Sequence, residues 1–191
     1  MARAIVRLSS LVVAIERPLL GVLIASIAVF VLSNVLLRLV GITIAWADEI
    51  AIHSMILSGF VGASLMLRGR IDPAVFLLHE ILPGRIVKGL RIVISVLSAG
   101  FGIVLFYLCW RWFDPLGLIA ADFDVGTFEA TTFNFIYTDT TPVMGASSFW
   151  FYLVMPWFAV TLTIHAAANL MEDIGVVERV DNPIRVTASE A

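Results

Sequence analysis

Of 191 residues, 60% are hydrophobic and only 14% charged, and the mean hydropathy is +1.00. A soluble domain of this size cannot hide so much apolar surface, so the composition reads as an integral membrane protein. A net charge of −3 offers nothing to attract nucleic acid; the useful information lies in where the charges fall.

The first segment, residues 1–17, places Ile5, Leu8, Val12 and Ile15 on one helical face and Arg3, Arg7, Ser10 and Arg17 on the other. This spacing predicts an amphipathic helix in the cytoplasmic interface, ended by Pro18. A hydrocarbon core of roughly 30 Å needs about 20 apolar residues in a helix. Four runs qualify: Pro18 to Leu37, Ile50 to Leu67, Ile92 to Trp110 and Phe149 to Met171. They predict an all-α membrane domain over 18–172, with spans at about 18–40, 46–67, 88–112 and 147–171. The first run is too long for the core of a cleaved signal peptide and reads as a retained anchor.

Between the second and third spans, "IDPAVFLLHEILPGR" carries Asp72 as an N-cap, Pro73 at the first helical position and Pro83-Gly84 as a stop. An in-plane arm helix is expected at about 72–83. The connection 113–148 mixes Thr, acids and Phe without a helical period, and is expected to form short extended or irregular pieces. A polar tail, 173–191, closes the chain.

Orientation follows from the basic residues. Ten of them, including Arg68, Arg70, Arg85, Lys88 and Arg91, fall on the side of both termini, against Arg38 and Arg111 on the other. Both termini are therefore expected in the cytoplasm. Arg68, Arg70, Arg85, Lys88 and Arg91 are expected at lipid headgroups, and 113–148 outside the cell.

Little chemistry is visible in the runs. They hold no carboxylate, lysine or arginine; the histidines His53 and His165 lie near opposite membrane faces, so they cannot form an axial haem pair. Hydrogen-bonded packing is the expected role of each. The single cysteine, Cys109, lies inside the third run and allows no disulfide within the chain. No phosphate-binding glycine loop, metal-spaced Cys/His set or serine nucleophile with a base is evident, so neither catalytic residues nor a cofactor or metal site is assigned. Asp48 and Glu49 stand at the start of span two, where the helix dipole favours negative charge, and Trp46 suits the interfacial aromatic belt. Along span two, Ser54, Ser58 and Gly62 recur every fourth residue, with Gly59 and Ala63 beside them. Such a smooth face permits close helix approach in lipid, against this chain's own helices or another protein's. Asn34 and Arg38 should meet the acids across a short turn, with an Arg38–Glu49 contact tying spans one and two.

In order, Asn34, Arg38, Trp46, Glu49, Gly62-Ala63, the basic Arg68 and Arg70, and Leu82-Pro83 with Arg85 resemble the small, DctQ-type membrane subunit of tripartite ATP-independent periplasmic (TRAP) transporters. The last span, with Trp150, Tyr152 and Pro156, is similar to the family's final helix. The likeness covers roughly residues 18 to 172. It departs from the family at Arg70-Ile71, where a histidine is common, and in a longer external connection.

The resemblance implies a non-catalytic accessory subunit in a bacterial or archaeal inner membrane. It would support a large elevator-type subunit that holds the substrate and sodium sites. A periplasmic binding protein would deliver an organic acid. Interface residues would then be Asn34, Arg38, Trp46, Glu49, Ser54, Ser58, Gly59, Gly62 and Ala63. Asp122, Asp124, Phe128 and Glu129 become candidates for docking the binding protein. Two rival readings are a membrane-anchor subunit of a respiratory or redox complex and a self-contained small channel or carrier.

Overall fold

A computed structural model describes residues 2–71 and 83–180. Among them it contains helices α1 (Ala2–Leu39), α2 (Ala45–Gly69), α3 (Gly84–Phe113), α4 (Pro115–Ala120), α5 (Val125–Thr132), α6 (Phe149–Tyr152) and α7 (Val154–Asp173). Four stretches are long and apolar enough to cross a membrane: Ala2–Leu39, Ala45–Gly69, Gly84–Ala120 and Phe149–Asp173. The fold class expected from composition is therefore the one observed. The expected arm helix, about 72–83, lies outside the described residues up to 82, as does the tail from 181 onward.

Pro18 does not end a helix. It sits inside α1, which runs unbroken from Ala2 to Leu39. Proline removes one hydrogen bond, and a helix packed on neighbours in lipid tolerates that loss. The expected division of faces in 1–17 fails as well. Leu8, Leu11 and Ile15 are exposed, whereas Val6, Ser9, Val12, Val13 and Glu16 are buried. In lipid an outward face can be apolar, and polar groups such as Ser9 and Glu16 turn inward. Pro156 lies near the start of α7. It cannot donate to Tyr152, so one helical bond is missing between α6 and α7, while Leu153 keeps helical dihedrals and the chain continues through it.

Connection 113–148 is more helical than its composition suggests. Asp114 caps α4, its carboxylate accepting from Gly117 N at 3.1 Å, with Pro115 at the first helical position. Asp124 caps α5 by accepting from Gly126 N and the Thr127 hydroxyl.

By packing, the chain divides into two compact units. The first draws on Met1–Leu20, Val61–Ile103 and Phe158–Ala191, so far as these are described. Its helices meet through small residues: Ala159, Ala166 and Ala168 are fully buried. A Cβ added to Gly102 would clash with the Thr163 hydroxyl and lie 3.0 Å from the Ala159 carbonyl oxygen. Thus α3 and α7 approach almost backbone to backbone, the kind of contact that small residues permit in lipid.

The second unit comprises Gly21–Phe60 and Val104–Trp157. Its core joins Cys109, Phe113 and Ile136 to Leu105, Tyr137, Phe149, Tyr152, Leu153 and Met155. Aromatic edges lock this core: Phe128 meets Tyr137 at 5.4 Å and Phe113 meets Phe149 at 5.8 Å, both edge-on. The Tyr137 hydroxyl donates to the Phe113 carbonyl at 2.6 Å, so its polar tip is satisfied.

Candidate functional site

Three polar clusters organise the candidate residues. In the second unit, Asn34 donates to one Asp48 oxygen at 2.5 Å and Arg38 to the other at 2.9 Å. Asn34 also accepts from Ile44 N at 3.3 Å, closing the turn between α1 and α2. The expected polar contact between spans one and two is present, but Arg38 pairs with Asp48, not Glu49. With side chains 55% and 47% exposed, the ion pair itself contributes little; the geometry of the turn matters more.

Glu49 is held elsewhere. Its buried carboxylate accepts backbone N–H bonds from Val143 at 3.1 Å and Met144 at 2.6 Å. Those amides belong to a tight loop in which Thr141 N donates to the Ala146 carbonyl, Gly145 takes φ +64°, and Thr140 pairs with Ser147. A carboxylate satisfied by two amides is a strong tether. His53 extends the arrangement: its Nδ1 donates to the Glu49 carbonyl at 2.8 Å while its ring lies 3.8 Å from that of Phe151. A packing role is what this geometry gives.

The second cluster, in the first unit, links Ser9, Glu16 and His165, each completely buried. Ser9 Oγ lies 2.7 Å from His165 Nδ1, and His165 Nε2 lies 3.3 Å from Glu16 Oε2. The Ser–His–Glu series is not a hydrolase triad: Ser9 faces Nδ1 and Glu16 faces Nε2, the reverse of a triad's use of the ring, and all three groups are buried. Sequence reading misses Glu16 as a helix-interior group because Pro18 reads as a boundary. The signal that could find it is the pairing of a Ser and a Glu on one face.

Third, the ends of α2 and α7 are joined by buried charges in the first unit. Arg68, 1% exposed, donates to Asn169 Oδ1 and to Glu172 Oε1, both at 2.7 Å. Arg70 reaches Asp173 Oδ1 at 2.6 Å, Glu172 Oε2 at 3.3 Å and the Asn169 carbonyl at 3.0 Å. The Asn169 amide donates back to the Leu67 carbonyl at 2.7 Å. Arg68 and Arg70 are therefore not headgroup ligands. Two acids at the end of span four match two arginines at the end of span two, and that complementarity is the readable sign. Arg85 and Lys88 are exposed, and Arg91 is partly exposed, at the start of α3.

The small-residue face of α2 is split. Ser54 is buried and accepts from Ser26 Oγ at 2.8 Å; a methyl group placed on Gly62 would lie 4.0 Å from Leu20 Cδ1. Ser58 turns back onto the Met55 carbonyl. A methyl group placed on Gly59 would meet nothing within 4 Å, and Ala63 is exposed, as are Ile52, Met55, Ile56 and Met66. Trp46 is 48% exposed and meets Phe30 edge-on at 6.0 Å.

Of the docking candidates, Phe128 drops out, for it is fully buried beneath α4 and Tyr137. Asp124 is engaged as a cap, and its carboxyl lies below the usual range because the Thr127 hydroxyl and the Gly126 N–H bond its charged form. Asp122 is exposed, at φ +52°, and Glu129 is partly exposed. The exposed aromatics of this segment are instead Phe123, Phe133 and Phe135.

The remaining surface is mostly apolar. Only 6% of the apolar window of α1 is buried, against 28% for α2. Such a surface needs lipid or another membrane protein against it. No curated protein and no solved structure matches the chain. A family model does match, over residues 27–175, well over half of the chain: "Tripartite ATP-independent periplasmic transporters, DctQ component". This chain, a multi-pass inner-membrane transporter component and not an enzyme, belongs to the DctQ family of TRAP transporters.

Proposed function

We propose that the chain is the static accessory subunit of a sodium-coupled importer of an organic acid. A large elevator-type membrane subunit carries the substrate and sodium sites, and a periplasmic binding protein delivers the substrate. Both termini of this chain lie in the cytoplasm, as the ten-to-two distribution of basic residues supports. The observation that carries the scaffold reading is the fate of the buried ionisable groups. Glu49, Glu16, His165, Arg68, Arg70, Glu172 and Asp173 each face a partner within the chain. Buried charge here ties helices together; a transport site would instead keep such groups available to a moving ligand.

The face assigned to the large subunit is the exposed strip of α2 through Ile52, Met55, Gly59, Ala63 and Met66. Gly59 and Ala63 at the middle of this strip are the small residues that a close-packed helix partner uses, whereas lipid chains need none. The test is copurification from cells expressing both membrane subunits. Gly59→Leu should leave the folding of this chain unchanged and abolish recovery of the large subunit. Recovery unchanged by Gly59→Leu and by Ala63→Leu would remove the assignment of this face.

A further inference from the structure

At one end of the first unit, the start of α3 and the end of α7 border an open cavity of about 440 Å³. It is lined by Gly84, Val87, Lys88, Arg91, Glu172, Asp173 and Arg179. The carboxylates are unequally used. Glu172 gives both oxygens to Arg68 and Arg70, whereas Asp173 gives only Oδ1, to Arg70. Asp173 Oδ2 is buried and, among the described residues, has no hydrogen-bond partner. A buried carboxylate oxygen without a donor costs free energy, so a ligand that brings a donor to it is favoured.

We propose that this cavity binds the zwitterionic phosphoethanolamine headgroup of a membrane phospholipid. Lys88 and Arg179, both exposed on the cavity, take the phosphate together with Arg91. The ammonium pairs with the Asp173 carboxylate, which lines the cavity. Helix dipoles favour the same orientation: the N-terminus of α3 carries partial positive charge for the phosphate, and the C-terminus of α7 partial negative charge for the ammonium. The volume suits a small polar group, falling within the range of ordinary ligand sites. Both helices span the membrane and end here, where headgroups lie. Exposed Ile86 and Val93 on α3, and Ile174 and Val176 just beyond α7, offer apolar surface for the acyl chains.

The test uses the purified full-length chain, stripped of lipid and titrated with phosphatidylethanolamine, phosphatidylcholine or phosphatidylglycerol of identical acyl composition. Bound lipid is read by native mass spectrometry. Phosphatidylethanolamine should bind about tenfold more tightly than phosphatidylcholine, whose methylated nitrogen cannot donate to Asp173. Replacing both Lys88→Gln and Arg179→Gln should weaken phosphatidylethanolamine binding about tenfold or more. Asp173→Asn should erase the distinction between the ethanolamine and choline lipids. If that variant does not fold, the wild-type lipid comparison and the exposed Lys88 and Arg179 replacements decide the matter. Equal binding of the ethanolamine and choline lipids overturns the proposal, and so does tighter binding of phosphatidylglycerol. Displacement of the lipid by an equal concentration of inorganic phosphate or free phosphoethanolamine assigns the cavity to a soluble ligand and overturns it too.

Discussion

Replacing Glu172 by alanine should strip the buried network at the ends of α2 and α7 of its central anion. Arg68 would keep one contact, to Asn169, and its Nε is already without a partner among the described residues. Arg70 would keep Asp173 and the Asn169 carbonyl. Removing one partner of a buried pair leaves an uncompensated charge and costs about 3–5 kcal/mol. For a chain of this size, that corresponds to a fall in melting temperature on the order of 10 °C. Circular dichroism of the purified chain in one detergent measures it, and Asn169→Ala provides the scale. Asn169→Ala leaves the Arg68–Glu172 ion pair in place, and so should cost less, about 1–3 kcal/mol for the bonds lost. Replacing Arg68→Met and Glu172→Met together should recover a good part of the loss, because neither charge is then buried alone. A Glu172→Ala chain melting within a degree or two of wild type would refute the reasoning that this network holds the helix ends.

Glu49→Ala should free the loop at Val143 and Met144, raising hydrogen exchange at those two amides while the α7 amides keep their protection. Gly102→Val should destabilise by about 1–3 kcal/mol through overpacking against Ala159 and Thr163, whereas Gly100→Val, at a position with open space, should not; thermal unfolding distinguishes them. Asp124 has a depressed carboxyl, so its capping of α5 is fully present above the ordinary value of about 3.8 and is lost as pH falls below it. Exchange at Gly126 should therefore rise only in acid, and Thr127→Val should move that rise to higher pH.

The spans are legible in the sequence because hydrophobic run length against bilayer thickness is a strong signal, and the helix that carries the first span starts far upstream of the run that marks it. That exception is instructive. Pro18 and an apparent amphipathic pattern argue for two helices, yet Leu8 and Ile15 face outward while Ser9 and Glu16 face in. An exposed apolar face with buried Ser9 and Glu16 is the reverse of the pattern that the rule for water assumes. Partner choice is harder to read than proximity. The sequence brings Arg38 near two adjacent acids, but Asp48 and Glu49 project from neighbouring positions about 100° apart on a helix, and only packing decides which faces Asn34 and which the distant loop. Short helices in 113–148 have no period to detect, although Asp114-Pro115 and Asp124 with Thr127 are local capping signals.

Reconstitution tests the scaffold account most directly. Liposomes containing this chain alone, given a sodium gradient and the organic acid, should show no uptake above protein-free vesicles. Liposomes with the large subunit as well, supplied with loaded binding protein, should accumulate substrate. Sodium-driven uptake by this chain alone would contradict the account.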